Sequence, residues 1–294
     1  MSGIAAGRIG SRPEPGAGDP AADTAIDPAA DIAIDRVGGV ARGLLLDRAE
    51  DDALGRVIGR RRMCRDYLAD PLGPGQLEAI VDLARRAPSA GFSQGVAFVS
   101  LERPEPPQPS PAQPPQSSQS PLAQSSAEPD PVAGYWGVTL PPARRSEFPW
   151  PGLLDAPVLI TLWVRPQAWV ERYGRPDKAR SGLGAGEASW PVPYWWVDAG
   201  AVVQNLLLVA EAEGLGALFF GMFEHEPAVA ELLGVPDGWR AVGTVALGHP
   251  APDGRRPSAS ASASGGRPAL AEQWHRNAWS PAVSAPVQPP EEAR

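Results

Sequence analysis

Helical spacing of apolar residues recurs in several parts of the chain. In the clearest case, Leu77, Ile80, Val81 and Ala84 follow the i, i+3, i+4, i+7 pattern, and Pro74 is suited to the first position of that helix. Three more segments are predicted to be helical: residues 53–62, residues 198–213 with Asp198 as the cap and Gly214 as the stop, and residues 227–233 before Gly234. The helix after Asp198 is apolar nearly all round, which places it at the centre of the core or in a subunit interface.

Short apolar runs of strand length alternate with these helices. They are residues 96–101, 158–164, 217–220 and 241–247. The run VLITLWV at 158–164 has no polar face, so we expect it to be buried on both sides. Strands alternating with helices indicate an α/β or α+β protein with a central sheet.

Low-complexity sequence surrounds and interrupts this pattern. The first 40 residues contain a tandem duplication, DPAADTAI followed by DPAADIAI, and read as an unfolded tail more readily than as a docking motif. Residues 104–131 are rich in Pro, Gln and Ser and are interpreted as an insertion in a surface loop. We therefore assign residues 1–48 and 281–294 to disordered tails and residues 49–280 to one folded domain that carries the insertion.

Composition narrows the function classes. The 294 residues carry a net charge of −8, which argues against general nucleic-acid binding. Cys64 is the single cysteine, so the sequence has neither a disulfide framework nor a cysteine-cluster metal site. No apolar run reaches the roughly 18 residues of a membrane span, and the start lacks a secretory leader pattern, so we expect a cytoplasmic protein.

The usual catalytic motifs are also missing. His225, His249 and His275 are isolated, and no phosphate loop, dinucleotide fingerprint or nucleophile elbow is present. The glycine-rich segment 182–186 is interpreted as a flexible loop, and Cys64 as a packed, unreactive thiol. An enzyme with no side-chain catalytic set would need a bound cofactor to carry the chemistry.

Three segments remain as candidates for a cofactor site. Four arginines occur in the six residues 60–65, a density that suits a phosphate or, alternatively, a solvated basic face. The stretch APSAGFSQG at 87–95 has few bulky side chains, so a flat ring can approach its backbone. The strand region GLGALFFGMF at 214–223 can cover a ring or serve as plain core.

Together these segments resemble one family. Residues 61–67, RRMCRDY, resemble the R-R-S-x-R-x-[FY] signature of FMN-dependent nitroreductases, and residues 86–94 resemble that family's A-P-S-[AS]-x-N-x-Q-P-W turn. Residues 198–223 are similar to its long helix followed by a G-[IL]-G strand, and the tail from Val242 to its closing strand and basic segment. The resemblance covers roughly residues 50–280 in the family's order.

The resemblance implies an α+β fold with a central sheet flanked by helices, and an intertwined homodimer with two FMN sites at its interface. Arg61 and Arg62 would hold the phosphate and ribityl end, and Arg65 would lie near the N1/O2 edge, where positive charge stabilises reduced flavin. Pro88, Ser89 and Ala90 would approach the ring and ribityl chain. The implied ring-lining residues are Leu218, Phe219 and Gly221. A tail arginine would complete the phosphate site, with Arg255, Arg256 and Arg267 all candidates.

Several positions in the implied site depart from the family pattern. Met63 replaces the usual serine, and Phe92 replaces the usual asparagine, while Gln94 matches but is followed by Gly-Val instead of Pro-Trp. Phe92 indicates a bulkier apolar substrate or a flavin held differently. The aromatic run 190–196 either lines a substrate cavity or plugs the core before the long helix.

Three functions stay open at this point. The leading hypothesis is an oxidoreductase that takes electrons from NAD(P)H through FMN to an electron-poor small molecule such as a nitroarene or quinone. A second keeps the flavin but performs oxidase or dehalogenase chemistry, and a third is a non-catalytic binding protein of the same fold whose proline-rich segments dock partners. The sequence alone does not choose between NADH and NADPH.

Overall fold

The computed structural model describes residues 53–104, 129–255 and 268–279. The chain divides into the units Met1–Gly55 and Arg56–Arg294, and only residues 53–55 of the first are described. The predicted tails at 1–48 and 281–294 and most of the predicted insertion lie outside the described residues. All four strands, and every described helix except the first turn of the N-terminal one, belong to the second unit.

The helices and strands come in mixed order along the chain. Helices are α1 Ala53–Arg60, α2 Gln76–Ala84, α3 Pro131–Thr139, α4 Pro142–Arg145, α5 Gln167–Tyr173, α6 Tyr194–Ala212, α7 Glu226–Leu233 and α8 Leu270–Gln273. Strands are β1 Val96–Glu102, β2 Val158–Val164, β3 Gly216–Phe220 and β4 Arg240–Gly248. The predicted strands are confirmed to within one residue at each end.

The four strands form one antiparallel sheet in the order β1-β2-β4-β3. This makes the fold α+β, as the resemblance implied. β1 and β3 are the two edges, and β2 lies inside with every residue buried, as its unbroken apolar run predicts. A bulge opposite Leu162 interrupts the β2–β4 register near Gly243, which takes φ 151°.

Side chains of β2 alternate between two cores. Val158, Ile160 and Leu162 face a core built with α2 and α6, whereas Leu159 and Trp163 face a second core that includes α3. Between them the buried hydroxyl of Thr161 donates to the Val99 carbonyl and accepts from Trp163 Nε1. The sheet is therefore covered on both faces, and α6 is central to the first core.

Several element boundaries differ from the sequence predictions. α1 ends at Arg60 rather than residue 62, and α2 begins at Gln76 after Gly75, not at Pro74. Helix α3 begins inside the predicted insertion, where Pro131 starts it and Asp130 Oδ1 caps it by accepting from Ala133 N. Segment 182–186, predicted to be a flexible loop, contains a 3₁₀ turn at Leu183–Ala185.

The predicted start of α6 is also wrong. The helix begins at Tyr194, four residues before Asp198, so Asp198 is not its cap. Its carboxylate is buried and accepts from Ala90 N at 2.7 Å and from Trp169 Nε1 at 2.8 Å. Aspartate is typical of helix caps, but here the two N–H donors that bond to its carboxylate account for an aspartate at this position equally well.

Candidate functional site

Segment 61–67 runs beside the edge strand β3. Met63 forms a parallel bridge with Ala217, and Cys64 N donates to the Ala217 carbonyl at 3.0 Å. Further on, Arg65 N donates to the Gly254 carbonyl at 2.8 Å, and Tyr67 bridges Pro250. The arginine-rich signature is thus fixed by its backbone against β3, which confines the arginine side chains to that edge of the sheet.

Close packing at this edge depends on Gly216. A Cβ atom there would lie 2.6 Å from Cys64 Sγ and 3.3 Å from the Tyr67 ring. Burial raises the pKa of the Cys64 thiol, and burial also raises the pKa of Tyr67 well above its usual value. Both groups are therefore neutral packing elements at neutral pH, in agreement with the packed thiol predicted from the sequence.

The arginines in and around this signature have different partners. Arg60, together with Arg255, pairs with the buried carboxylate of Glu211, at 2.9 and 3.2 Å. Arg62 donates to the carbonyls of Gly59 and Arg61. Glu211 thus ties Arg60 and Arg255 to the C-terminal end of α6, while the buried Arg255 Nε atom has no hydrogen-bond partner among the described residues, so Arg255 stays a predicted phosphate ligand.

Arg61 and Arg65 are engaged differently. The Arg61 Nη1 atom is inaccessible to solvent and has no hydrogen-bond partner among the described residues. The Arg65 guanidinium lies 5.4 Å from the centroid of the Trp150 ring. A buried guanidinium N–H without an acceptor is costly, and an anionic oxygen is the partner that would satisfy it best. Arg61 therefore fits a phosphate group.

The turn at 88–94 lies at the opposite end of the sheet order, just before the edge strand β1. The Ser89 hydroxyl accepts from both Gln94 N and Gln94 Nε2, at 3.2 and 3.1 Å. Gly91, Phe92 and Gln94 all have positive φ, at 62°, 59° and 53°. These backbone conformations, the Ser89–Gln94 hydrogen bonds and the Ala90–Asp198 hydrogen bond together produce a tight turn with its backbone near the surface.

Phe92 is the unusual residue of the turn. Its side chain is 78% exposed, and it occupies a left-handed backbone conformation that asparagine and glycine adopt more readily. An exposed aromatic ring in a strained conformation is not explained by packing within this chain.

A cavity behind this turn contains Pro88 and Ser89. The other residues that line it are Arg85, Ala87, Gln94, Val96, Phe98, Asp198 and Val202.

A second cavity lies against β3. Its walls are five aromatic side chains together with apolar residues, and it includes two of the predicted ring-lining positions, Leu218 and Gly221. The remaining residues that line it are Tyr135, Trp136, Thr139, Leu140, Phe148, Trp150, Leu153, Phe220, Met222 and His225. Phe219, the third predicted position, packs into the core on the other face of the sheet, because neighbouring strand residues alternate.

The structure therefore separates the predicted site residues into two groups. Met63 and Leu218 belong to the β3 edge, whereas Pro88, Ser89 and Ala90 precede the β1 edge, three strand spacings or about 14 Å across the sheet. The cavities of the two groups share no residue. Each cavity thus holds only part of the predicted site.

The aromatic run 190–196 is divided between core and surface. Trp190 and Trp195 are buried beside Trp169, while Tyr194 and Trp196 are partly exposed at the start of α6. Trp190 and Trp195 thus act as a core plug, and the exposed Tyr194 and Trp196 stay available to line a substrate cavity. Arg256 and Arg267 lie outside the described residues, so their predicted phosphate role stays a prediction.

Sequence reasoning missed two features of the site region. The first is Trp136, which lines the β3 cavity from α3, a helix that begins within the predicted insertion. The second is Asp198, which was predicted to cap a helix but accepts hydrogen bonds from Ala90 N and Trp169 Nε1. The signal for α3 was present in Asp130-Pro131, a cap followed by a first-turn proline. In the described ranges no cluster of His, Cys, Asp and Glu could hold a metal ion, and no helix is both long and apolar enough to cross a membrane.

Comparisons with known proteins agree with this architecture. The model of the nitroreductase family matches residues 58–249. Among solved structures, NfrA2 of B. megaterium superposes with a TM-score of 0.50 at 19% identity, covering 78% of this chain and 75% of that one, which shows a shared fold.

Two curated relatives match over shorter stretches. A "Putative NADH dehydrogenase/NAD(P)H nitroreductase" of Archaeoglobus fulgidus is 33% identical over 66 residues, 21% of this chain and 38% of that protein. An "NADPH-flavin oxidoreductase" of Vibrio harveyi is 44% identical over 55 residues, 18% of this chain and 23% of that protein. The chain thus spans less than two fifths of either relative.

Proposed function

Because this chain belongs to the nitroreductase family, we propose that it is an FMN-dependent oxidoreductase that oxidises NAD(P)H and reduces an electron-poor small molecule. With a quinone as acceptor, one NADPH and one proton are consumed for each hydroquinone and NADP⁺ formed. FMN, when bound, supplies the two-electron carrier for this exchange. The names of the two curated relatives support both the flavin and the nicotinamide.

The observation that carries the proposal is the Arg61 guanidinium. Its Nη1 atom is buried without a partner among the described residues, in a segment whose backbone is bonded to β3. A phosphate oxygen would accept a charge-assisted hydrogen bond from that N–H. The Nη1 atom of the neighbouring Arg62 already donates hydrogen bonds to two backbone carbonyls. In this proposal Arg61 therefore makes the principal phosphate contact.

The remaining residues of the β3 edge receive the ring. Leu218 and Gly221 line an apolar cavity, and Arg65 lies at its Trp150 wall. In this proposal Arg65 provides positive charge beside the ring, while Leu218 and Gly221 exclude water from one side of it. The chain's own residues bind and orient, and no described side chain is assigned an acid–base step.

We also propose that a second copy of the chain completes the site. Pro88, Ser89 and Ala90 are about 14 Å across the sheet from the β3 edge of the same chain, so a copy related by a twofold axis can bring its turn to the partner's Arg61. The exposed part of α6 supports this arrangement, because its two acidic residues, Asp198 and Glu211, are both buried and leave an uncharged outer face.

The absorbance spectrum of the purified protein tests the proposal. We expect bound FMN to give the visible absorption band of oxidised flavin, and we expect NADPH added in the absence of oxygen to bleach that band. A protein that stays colourless after incubation with FMN, or whose bound FMN is not bleached by NADPH or NADH, contradicts the proposal.

Phe92 supports one alternative within the same fold. An exposed phenylalanine at the position where the family pattern has asparagine changes the polarity of the turn. If NAD(P)H bleaches the flavin but neither nitroarenes nor quinones are turned over, flavin-dependent oxidase or dehalogenase chemistry becomes the better assignment.

A further inference from the structure

A buried carboxylate lies in the last turn of helix α6. The side chain of Glu211 is only 3% exposed, and the helix ends at the next residue, Ala212. The helix dipole disfavours negative charge at this end, and burial makes an unpaired carboxylate costly. The stability of the helix therefore does not explain a glutamate here, and the explanation lies with its two arginine partners.

These two arginines would cap helix α6 without the carboxylate. Arg60 Nη2 donates to the backbone carbonyl of Glu211 at 3.1 Å. Arg255 Nη2 donates to the carbonyls of Gly214 and Leu215, at 3.3 and 2.9 Å. Carbonyls at and just beyond the C-terminal end of the helix thereby gain donors from backbone-directed bonds alone.

The Glu211 side chain adds a different contact. Its Oε1 atom accepts from Arg60 Nε at 2.9 Å and from Arg255 Nη1 at 3.2 Å. One carboxylate oxygen thus holds together two guanidinium groups that would otherwise repel each other. The carboxylate fixes the positions of these two cations.

Both arginines adjoin the segment proposed to bind the FMN phosphate. Arg60 directly precedes Arg61 in the sequence. Gly254, the residue before Arg255, accepts from Arg65 N at 2.8 Å. The bonds to the carboxylate therefore fix the chain at the start of the arginine-rich signature and at the tail that runs beside it.

The orientation of the Arg255 side chain follows from its bonds. A guanidinium group is planar, and here Nη1 is bonded to Glu211 while Nη2 is bonded to two carbonyls, so the direction of the Nε–H bond is fixed as well. That Nε atom is buried and has no hydrogen-bond partner among the described residues, as is also true of Arg61 Nη1. Two such donors at one edge of the sheet favour an anionic ligand there.

We propose that Glu211 is a positioning residue for the phosphate of FMN: its carboxylate, anchored by Arg60, holds the Arg255 guanidinium in the orientation that binds the phosphate. This inference rests on the proposed function, because it takes FMN as the ligand. Glu211 itself makes no contact with the flavin and acts only through Arg255. Its loss should therefore weaken binding of the phosphate and leave binding of the ring unaffected.

A comparison of FMN with riboflavin isolates the phosphate, because riboflavin is the same flavin without it. Quenching of flavin fluorescence gives Kd for both ligands with the full-length protein freed of bound flavin. Glu211→Gln keeps the shape of the side chain and removes its charge. In this variant we expect Kd for FMN to rise about tenfold, the effect of one weakened charge-assisted hydrogen bond, and Kd for riboflavin to change less than about twofold.

Glu226→Gln is the matched control. Glu226 also has a largely buried carboxylate that pairs with an arginine, Arg240, at 2.8 Å. Arg240 begins strand β4, whereas Arg255 follows the Gly248 end of that strand. The same substitution at this distant pair should leave both Kd values unchanged.

The sign and the ligand dependence of the change identify the role of Glu211. A lower Kd for FMN in Glu211→Gln would show that the carboxylate repels the phosphate, and an equal rise for FMN and riboflavin would show that it only stabilises the fold. Either result overturns the proposal, as does an unchanged Kd for FMN, and all three leave the proposed function intact. A wild-type protein that binds neither flavin contradicts the proposed function itself, and the role of Glu211 with it.

A second variant tests the route through Arg255. Arg255→Met keeps the apolar stem and should raise Kd for FMN about tenfold, and adding Glu211→Gln should then change Kd less than about twofold. A full further loss in the double variant means that Glu211 does not act through Arg255. If Glu211→Gln does not fold, Arg255→Met still decides, since its side chain is 31% exposed. A wild-type ratio of FMN to riboflavin affinity in Arg255→Met would leave Glu211 no phosphate ligand to position and overturns the proposal.

Discussion

At the scale of single residues, the turn at 88–94 combines an unfavourable conformation with an exposed apolar side chain. Phe92 has φ 59° and is 78% exposed, so the ring gains little from packing within the chain while the backbone bears the cost of the left-handed region. Asparagine adopts that region more easily, which explains in physical terms why the related pattern has asparagine there. A residue kept against its own conformational preference points to a role outside the isolated chain.

The first prediction concerns this strain. Phe92→Asn should raise the free energy of unfolding by about 1 kcal/mol, since asparagine tolerates φ near +60°. Urea denaturation followed by circular dichroism measures the difference. Leu232→Asn is the control: it also replaces a partly exposed apolar residue, but in helix α7, where asparagine should destabilise. A loss of stability in Phe92→Asn would show that the ring is buried in the assembled protein.

The second prediction concerns Arg61. Arg61→Ala should raise Kd for FMN by about 10- to 150-fold, the range for one lost hydrogen bond to a charged group, while Arg61→Lys should restore part of it. Quenching of flavin fluorescence on titration gives Kd directly. Arg144→Ala, on the short helix α4, removes the same charge elsewhere and should leave Kd unchanged. Equal affinities for FMN in wild type and Arg61→Ala would remove the observation on which the phosphate site depends.

At the scale of elements, the sequence was informative where the pattern was strong. The run VLITLWV predicted a strand buried on both faces, and β2 is that strand because cores lie on both sides of it. Helix α3 was missed because its two glycines and its position after a proline-rich stretch obscured the cap at Asp130. Helix α6 begins four residues earlier than predicted because Asp198 satisfies donors in two other elements, a tertiary contact that sequence pattern does not reveal.

The candidate site was predictable only in parts. Motif residues such as Arg61 and Ser89 could be recognised one by one, but adjacency along the sheet depends on strand order. β1 and β3 occupy opposite edges, so segments that look like one site in the sequence lie apart in the chain. Trp136 could not be recognised as a cavity residue, because its place in the cavity wall depends on how α3 packs against Phe220.

The third prediction belongs to the contact between α6 and the turn before β1. Asp198→Ala should lower the free energy of unfolding by about 2–4 kcal/mol, because Ala90 N–H and the Trp169 indole N–H both lose their acceptor. Asp198→Asn should cost clearly less, since its amide oxygen can still accept from both donors. Both values come from urea denaturation, with the exposed Asp237→Ala as control. Equal losses in the alanine and asparagine variants would mean that the charge, and not the acceptor oxygen, is what matters.

At the scale of the whole molecule, the outer face of α6 is the surface to explain. Val197, Gly200 and Gln204 are exposed, and Ala201 and Leu208 on the same face are half-buried, so this face carries no charge over three turns. An uncharged face of small and apolar residues is typical of a helix that packs against another subunit. The same contact would let the 88–94 turn of one copy reach the β3 edge of the other.

The last prediction tests whether the flavin site needs two chains. Ala201→Arg puts a long charged side chain in the middle of the α6 face and should convert a dimer into a monomer, as measured by light scattering coupled to size-exclusion chromatography. Since Ser89 and Arg61 then no longer meet, the variant should also lose most of its bound FMN, measured as flavin released per chain. Ala228→Arg, on the exposed side of α7, introduces the same residue and should keep both the dimer and the flavin. A monomeric Ala201→Arg protein with one FMN per chain would show that a single chain forms the whole site, because the partner's turn would then contribute nothing to binding.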